Sequence, residues 1–180
     1  AARDSLGRTL TGRTITFASS NAAIATANAT NGVISAVARG STNVTATSEG
    51  KSAIATITVR AGGFVGASGG QITVGNTTLD IPANAVASGT AFTIDSLASP
   101  AAAAGLMAFS AVQLGPSGVT FASPVTVTMR WSTAQLPVGA DPTAFAVHRY
   151  NGTAWVPLAA GAVDVAARTV RGTTTGFSPF

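Results

Sequence analysis

The sequence holds one serine in a pattern that is typical of a catalytic nucleophile. Residues 66–70 match G-x-S-x-G, the strand-to-helix turn that exposes the nucleophilic serine of α/β-hydrolases. Such a serine also needs a parallel-sheet strand before it, a helix after it, and a histidine and an acid that activate it. The residues around Ser68 indicate none of these. We therefore interpret this stretch as a flexible Gly/Ser connection or a β-turn.

Metal binding and acid–base chemistry would depend on the histidine and the carboxylates. His148 is the single histidine, and a lone histidine cannot hold zinc without further ligands. The alternation of the chain places it opposite Phe145 and Val147, which indicates a solvated strand residue. The acids show neither the spacing of a calcium loop nor a pattern of paired carboxylates; they are Asp4, Glu49, Asp80, Asp95, Asp141 and Asp164. We predict no catalytic, cofactor-binding or metal-binding residues, and a chain that is not an enzyme.

Charge is scarce in this chain. Asp, Glu, Lys and Arg make up 9% of the residues, against about a quarter in ordinary soluble proteins. Threonine, serine, asparagine and glycine must therefore solvate the surface, and a surface with little charge repulsion favours self-association. The net charge of +4 comes from basic residues that are spread singly along the chain, so no basic patch for nucleic acid is present.

The hydrophobic fraction of 46% is raised by alanine and does not indicate a membrane protein. No run of about 18 apolar residues is present that could span a bilayer. Cysteine is absent, so stability must come from packing and sheet pairing. No signal peptide is visible at Ala1, and we expect a mature piece or an ordered window of a longer precursor.

Residues 1–60 are predicted to be all β. Short segments with alternating apolar residues are separated by turn residues. Asn31-Gly32 predicts a type I′ hairpin, which needs positive φ at both central residues. Further turns are predicted at residues 39–41 and 49–52. Five short segments without a helical period favour a β-sandwich.

In this succession the first sixty residues resemble the bacterial Ig-like domain, group 2. The stretch that carries the resemblance is ITFASSNAAIATANATNGVISAVARGSTNVTATSEGKSAIATITV. It implies a module of extracellular adhesins or surface fibres, which often occur in tandem. The first one or two strands of the family are missing, which would leave a sheet edge and part of the core uncovered. We expect either an upstream segment or another chain to supply them by strand addition.

Residues 61–70 are glycine-rich and are predicted to form a linker, and residues 71–180 a second β-sandwich. The centre of this domain is LGPSGVTFASPVTVTMRW, residues 114–131, where apolar and polar residues alternate from Val125 to Trp131. Asn151-Gly152 predicts a second hairpin. Residues 100–105 are the one helix-like piece, and a threonine-rich turn is expected after Arg171.

The motifs LDIP, LGPSGVTFASPVTVT, NGTAW and GFSPF resemble the ZU domain over about residues 69–180. The ZU domain is a β-sandwich that also occurs in bacterial surface proteins. Some ZU-containing proteins cleave themselves within His-Phe-Ser, where the serine attacks the preceding peptide bond. Here Gly176 stands in place of the histidine before Phe177 and Ser178, so the serine lacks a base. We expect no self-cleavage and interpret Phe177 as a core residue of the last strand.

Three aromatic residues could serve either packing or recognition. Trp131 is in phase with the apolar residues before it, which predicts that it is buried. Tyr150 and Trp155 flank the second hairpin turn, and we predict that they pack across it. Exposed aromatics of this kind also stack on sugars. The four Asn-x-Ser/Thr sequons are interpreted as a by-product of the threonine-rich composition; they begin at Asn28, Asn43, Asn76 and Asn151.

These features predict an all-β chain of two tandem β-sandwich domains, Ig-like and then ZU-like. We expect a non-enzymatic, extracellular or cell-surface structural module of a bacterial surface protein or fibre that self-assembles by strand sharing. The expected partners are other copies of the chain or neighbouring domains of the same protein, with no cofactor and no nucleic acid. The alternative is an adhesin module that binds a glycan or a host protein through loops or hairpin aromatics.

Overall fold

The computed structural model describes residues 2–3, 6–98, 110–136 and 138–177. This part of the chain contains fifteen strands and two 3-10 helices of three residues each. The predicted all-β fold is confirmed. The chain divides into two compact units, Ala1–Arg60 and Ala61–Phe180. The helix-like piece predicted at residues 100–105 lies outside the described residues.

The first unit contains a three-stranded antiparallel sheet and a separate hairpin. The sheet has the order β1-β4-β5, and β2 pairs with β3. The five strands are β1 (Thr16–Ser19), β2 (Ala25–Ala27), β3 (Ile34–Ala36), β4 (Gly40–Ser48) and β5 (Lys51–Val59). Glu49 and Gly50 join β4 to β5 with φ of 50° and 73°. Two central residues with positive φ meet the requirement of a type I′ turn, and this turn holds nine residue pairs in register.

The hairpin between β2 and β3 is present, but the predicted type I′ turn at Asn31-Gly32 is wrong. Ala27 pairs with Ile34, so six residues form the loop. The Asn28 carboxamide oxygen accepts hydrogen bonds from the N–H groups of Thr30 and Asn31. The turn therefore begins at Asn28, three residues before Asn31. Within the Asn-Gly pair, Gly32 has positive φ but Asn31 does not.

The second unit contains two sheets that pack face to face. A five-stranded sheet has the order β14-β15-β11-β8-β7, and a three-stranded sheet the order β10-β9-β6. A two-stranded hairpin, β12–β13, adds to them. The strands are β6 (Gly62–Val65), β7 (Gly70–Val74), β8 (Thr77–Ile81), β9 (Thr90–Ser96), β10 (Val112–Gly115), β11 (Thr120–Arg130), β12 (His148–Tyr150), β13 (Trp155–Pro157), β14 (Ala159–Asp164) and β15 (Thr169–Gly176).

A continuous core fills the space between these two sheets. Phe92 from β9 contacts the rings of Phe121 and Phe177, with centroid distances of 5.9 and 6.0 Å. Trp131 is 5% exposed and packs edge to face on Phe145. The predicted burial of Trp131 and Phe177 is therefore confirmed. The threonine-rich turn expected after Arg171 is wrong, because the β-branched threonines continue β15 to Gly176.

The predicted linker at residues 61–70 is not a separate connection. Its first half forms β6, which pairs with β9, and β7 begins at Gly70. A Cβ atom on Gly62 would lie 1.9 Å from the carbonyl oxygen of Phe92, and one on Gly63 would lie 3.0 Å from Ile72. These positions are therefore glycine because the backbone is closely packed there. A flexible linker is also rich in glycine, so composition alone does not distinguish the two cases.

Candidate functional site

The hairpin β12–β13 presents its aromatic residues on one face. Val147 is buried, and its carbonyl oxygen accepts a hydrogen bond from the N–H of Leu158, whose side chain packs on the core. Because side chains alternate along a strand, the residues next to this pair lie on the opposite face. We call this the aromatic face; it consists of His148, Tyr150, Trp155 and Pro157.

Tyr150 and Trp155 lie directly opposite each other across the hairpin, with ring centroids 5.4 Å apart. Their predicted packing is confirmed. Both rings are half-buried, and so is His148, which keeps its predicted place opposite Val147. Aromatic rings with a polar tip and a partly open face can stack on the apolar face of a sugar ring or on a cation.

The hairpin holds this face in a fixed geometry. The side-chain oxygen of Asn151 accepts hydrogen bonds from the N–H groups of Thr153 and Ala154, which closes the loop between the two rings. On the opposite face, Arg149 Nη1 donates a hydrogen bond to the carbonyl oxygen of Gly176 at 3.4 Å. The loop bonds hold the hairpin together, and the arginine links the hairpin to the end of β15.

The surroundings of Ser68 differ from those of a nucleophilic serine in an α/β-hydrolase. Ser68 lies in a turn in which the N–H of Gly69 donates to the carbonyl oxygen of Gly66, and a strand follows instead of a helix. The interpretation of this stretch as a β-turn is therefore confirmed. Ser178 lies outside the described residues.

Most of the described carboxylates have structural contacts. Glu49 forms an ion pair with Arg13, and Asp80 accepts a hydrogen bond from Gln71. Asp164 accepts one from the N–H of Ala167. Among residues 2–3, 6–98, 110–136 and 138–177, no three acids or histidines form a group that could hold a metal ion.

Asp141 caps the short 3-10 helix Pro142–Ala144. Its carboxylate accepts hydrogen bonds from the Thr143 hydroxyl at 2.7 Å and from the Thr143 N–H at 2.9 Å. The hydroxyl, and then the N–H, hold the pKa of Asp141 below its ordinary value because both stabilise the charged form.

The outer sheet faces carry rows of hydrogen-bonded neutral side chains. In the first unit the pairs are Ser41 with Thr58 at 3.0 Å, Asn43 with Thr56 at 2.9 Å, and Thr47 with Ser52 at 3.2 Å. In the second unit Thr73 and Thr78 are 3.0 Å apart. We call these rows the hydroxyl ladders. They satisfy side chains in pairs across the strands, which composition alone does not show.

A second candidate surface is the outer edge of β5. This strand pairs with β4 and is the last strand of its sheet. Ala53 and Ala55 are exposed although they lie on the same face as the buried Val44. Ile54, on the other face, is 68% exposed. Sequence reasoning expected an uncovered edge in this unit but did not identify the strand.

Comparison with known proteins does not place the chain in a family. No family model matches it, and no curated protein matches it. Within the described residues, no helix is both long enough and apolar enough to cross a membrane.

Proposed function

We propose that the chain is a non-enzymatic structural module of an extracellular bacterial surface protein or fibre, and that it self-assembles by strand sharing. It would consist of an Ig-like domain followed by a ZU-like β-sandwich domain. The sequence resemblances over residues 4–59 and 69–180 and the all-β fold support this proposal.

The observation that carries the proposal is the chemistry of the outer sheet faces. In the described part of the chain, Ser41, Asn43, Thr56 and Thr58 solvate the first sheet with neutral groups that already hydrogen-bond to each other. Such faces have little charge repulsion to overcome when molecules approach. A surface of this kind suits a crowded assembly better than it suits a freely diffusing enzyme.

The proposal is tested by following assembly of the full 180-residue chain. We expect light scattering to rise with protein concentration and electron microscopy to show ordered assemblies. A chain that remains monomeric at every concentration and unfolds cooperatively would contradict the self-assembly part. Protease treatment of intact source cells tests the location, because a surface protein is degraded while cytoplasmic proteins are protected.

The aromatic face favours a second candidate function, an adhesin module that binds a glycan. The half-buried rings of Tyr150 and Trp155 lie 5.4 Å apart on a hydrogen-bonded hairpin, and together they form an apolar surface that a sugar ring can contact. We expect Trp155→Ala to abolish binding on a glycan array while the chain stays folded, as circular dichroism measures. The control is Val156→Ala, on the opposite face of the same hairpin. Glycan binding that survives Trp155→Ala, or no binding by the wild-type chain, would exclude this function.

A further inference from the structure

We infer that β5 is the strand through which two copies of this chain pair, antiparallel and centred on Ala55. The inference deepens the proposed function and rests on its self-assembly part, because it names the edge, the register and the occupant. The occupant is the β5 strand of a second copy.

The β5 edge is long, regular and uncovered. Its nine residues pair with β4 from Gly40 and Val59 to Ser48 and Lys51 without a bulge. All residues from Lys51 to Thr56 are exposed. A straight edge strand presents unpaired backbone N–H and C=O groups, which makes it a template for a further strand.

Apart from Lys51 at its first position, the β5 edge also lacks the devices that keep sheet edges apart. Between Ser52 and Val59 the strand contains no proline and no charged residue. Proteins protect exposed edges with charges, prolines, bulges or short strands. Instead, the strand carries the β-branched apolar side chains Ile54 and Ile57, which favour pairing with a further strand.

The other edge strands of the described residues are protected in these ways. The edge strand β14 has an irregular register between Ala159 and Ala162 and positive φ at Ala160. The edge strands β1, β6, β7 and β10 have only four or five residues each, and the strands of the two-stranded sheets have three each; these are β2, β3, β12 and β13. Among these strands β5 is therefore the one whose edge is open to a partner.

Symmetry determines the register. Two copies related by a two-fold axis contribute the same strand, so the pairing must be self-complementary. Ala55 is the central residue of β5, and pairing about it overlaps all nine residues of both strands. Ala53 then lies opposite Ile57 of the second copy, where the small alanine leaves room for the larger side chain. Lys51 lies opposite Val59, so no like charges face each other directly.

The pairing would also extend the sheet on its core side. Ala53 and Ala55 lie opposite Ala46 and Val44 of β4, on the face where Val44 is buried and Ala46 half-buried but both β5 residues are exposed. In a six-stranded sheet the corresponding residues of the second copy lie beside them on that face. The copy therefore covers apolar surface as well as backbone groups.

The first experiment traps the pair with a disulfide. The chain contains no cysteine, so Ala55→Cys introduces a single thiol. Residues directly opposite in an antiparallel pair have Cα atoms about 4.5–5.5 Å apart, which lies within the range that a disulfide spans. We expect the full chain with Ala55→Cys to form disulfide-linked dimers under mild oxidation at least about tenfold faster than the control.

The control is Val33→Cys, which is 58% exposed in the loop before β3 of the same unit. It measures the rate of disulfide formation by random collision. Ile54→Cys tests the register, because Ile54 would lie opposite Thr56 of the second copy and should cross-link more slowly than Ala55→Cys. Equal rates for Ala55→Cys and Val33→Cys would overturn the inference.

The second experiment uses charge. Lysines directly opposite each other repel, and so do glutamates, so Ala55→Lys and Ala55→Glu should each reduce the light scattering of the full chain. A mixture of the two variants places opposite charges together and should restore it. Restoration in the mixture supports the pairing, because it requires position 55 to face position 55. If the mixture scatters no more light than the single variants do, the inference is overturned.

These results separate the inference from the proposed function. If the wild-type chain assembles while Ala55→Cys does not cross-link, another surface or another strand makes the contact, and the β5 pairing is wrong. If the wild-type chain does not assemble at any concentration, the self-assembly part of the proposed function is wrong as well.

Discussion

The two units of this chain follow the same strand rules but differ in how much they bury. Among the described residues of the second unit, the core contains fifteen buried apolar residues, from Val65 to Phe177. In the described part of the first unit, Ala25 and Val44 are the buried apolar residues. In both units the alternation of apolar and polar residues produces strands. How far the apolar side chains are buried depends on what covers the sheet. The first unit relies more on backbone pairing and on hydroxyl ladders, and it is the unit with the open edge.

The largest expected effect is in the core of the second unit. Phe92 is 1% exposed and contacts two other aromatic rings. We expect Phe92→Ala to lower the free energy of unfolding by about 3–5 kcal/mol, because it leaves a cavity that the neighbours cannot fill. Denaturant unfolding measures this effect. The control is Phe64→Ala, at a side chain that is 73% exposed. Equal losses for the two variants would contradict the core that we describe.

The next effect tests the glycines that resemble a linker. Gly62→Ala should destabilise the second unit by about 1–3 kcal/mol, because its Cβ cannot avoid the Phe92 carbonyl without opening the β6–β9 pair. Gly66→Ala is the matched control, since no atom lies within 4 Å of its added Cβ. Thermal unfolding compares them. A Gly62→Ala variant as stable as Gly66→Ala would restore the linker interpretation.

A smaller effect is expected in the first unit. Val44 is 6% exposed, and Val44→Ala removes about two methyl groups from a small core. We expect a loss of about 1.5 kcal/mol in the free energy of unfolding of this unit. Val33→Ala, at a position that is 58% exposed, should change it by less than about 0.5 kcal/mol. A loss at Val44 as large as that at Phe92 would remove the difference between the units.

The smallest effect concerns the Asp141 cap. Thr143→Val removes the hydroxyl that lowers the pKa of Asp141, so this pKa should rise toward its ordinary value. Because the folded-state pKa is depressed, the cap's stabilisation is present above the unfolded-state pKa and is lost as pH falls through the folded-state pKa. An NMR pH titration measures the shift. Thr133→Val, in the other 3-10 helix, is the control and should leave the pKa of Asp141 unchanged.

Local patterns predicted what depends on neighbours in the chain. Alternation from Val125 to Trp131 identified β11 and the burial of Trp131, because residues two apart in a strand lie on the same face of the sheet and the apolar ones mark the buried face. The position of Tyr150 and Trp155 on either side of a turn predicted their contact for the same reason. The same alternation placed His148 opposite Val147, which is the face that it shares with Tyr150 and Trp155.

Features that depend on distant residues could not be predicted. Gly62 has the composition of a linker, and only the approach of Phe92 from β9 shows why it is glycine. The turn predicted at Asn31 was wrong for a local reason instead, because the side chain of Asn28, three residues earlier, accepts a hydrogen bond from the N–H of Asn31. The open edge of β5 depends on the strand order of the sheet, which periodicity does not specify.

The hydroxyl ladders have a consequence for the conditions in which the chain works. Ion pairs weaken as dissolved ions screen them, but hydrogen bonds between neutral groups such as Ser41 and Thr58 carry no net charge for ions to screen. The sheet faces that they cover should keep the same hydration and the same shape in fresh water and in brine.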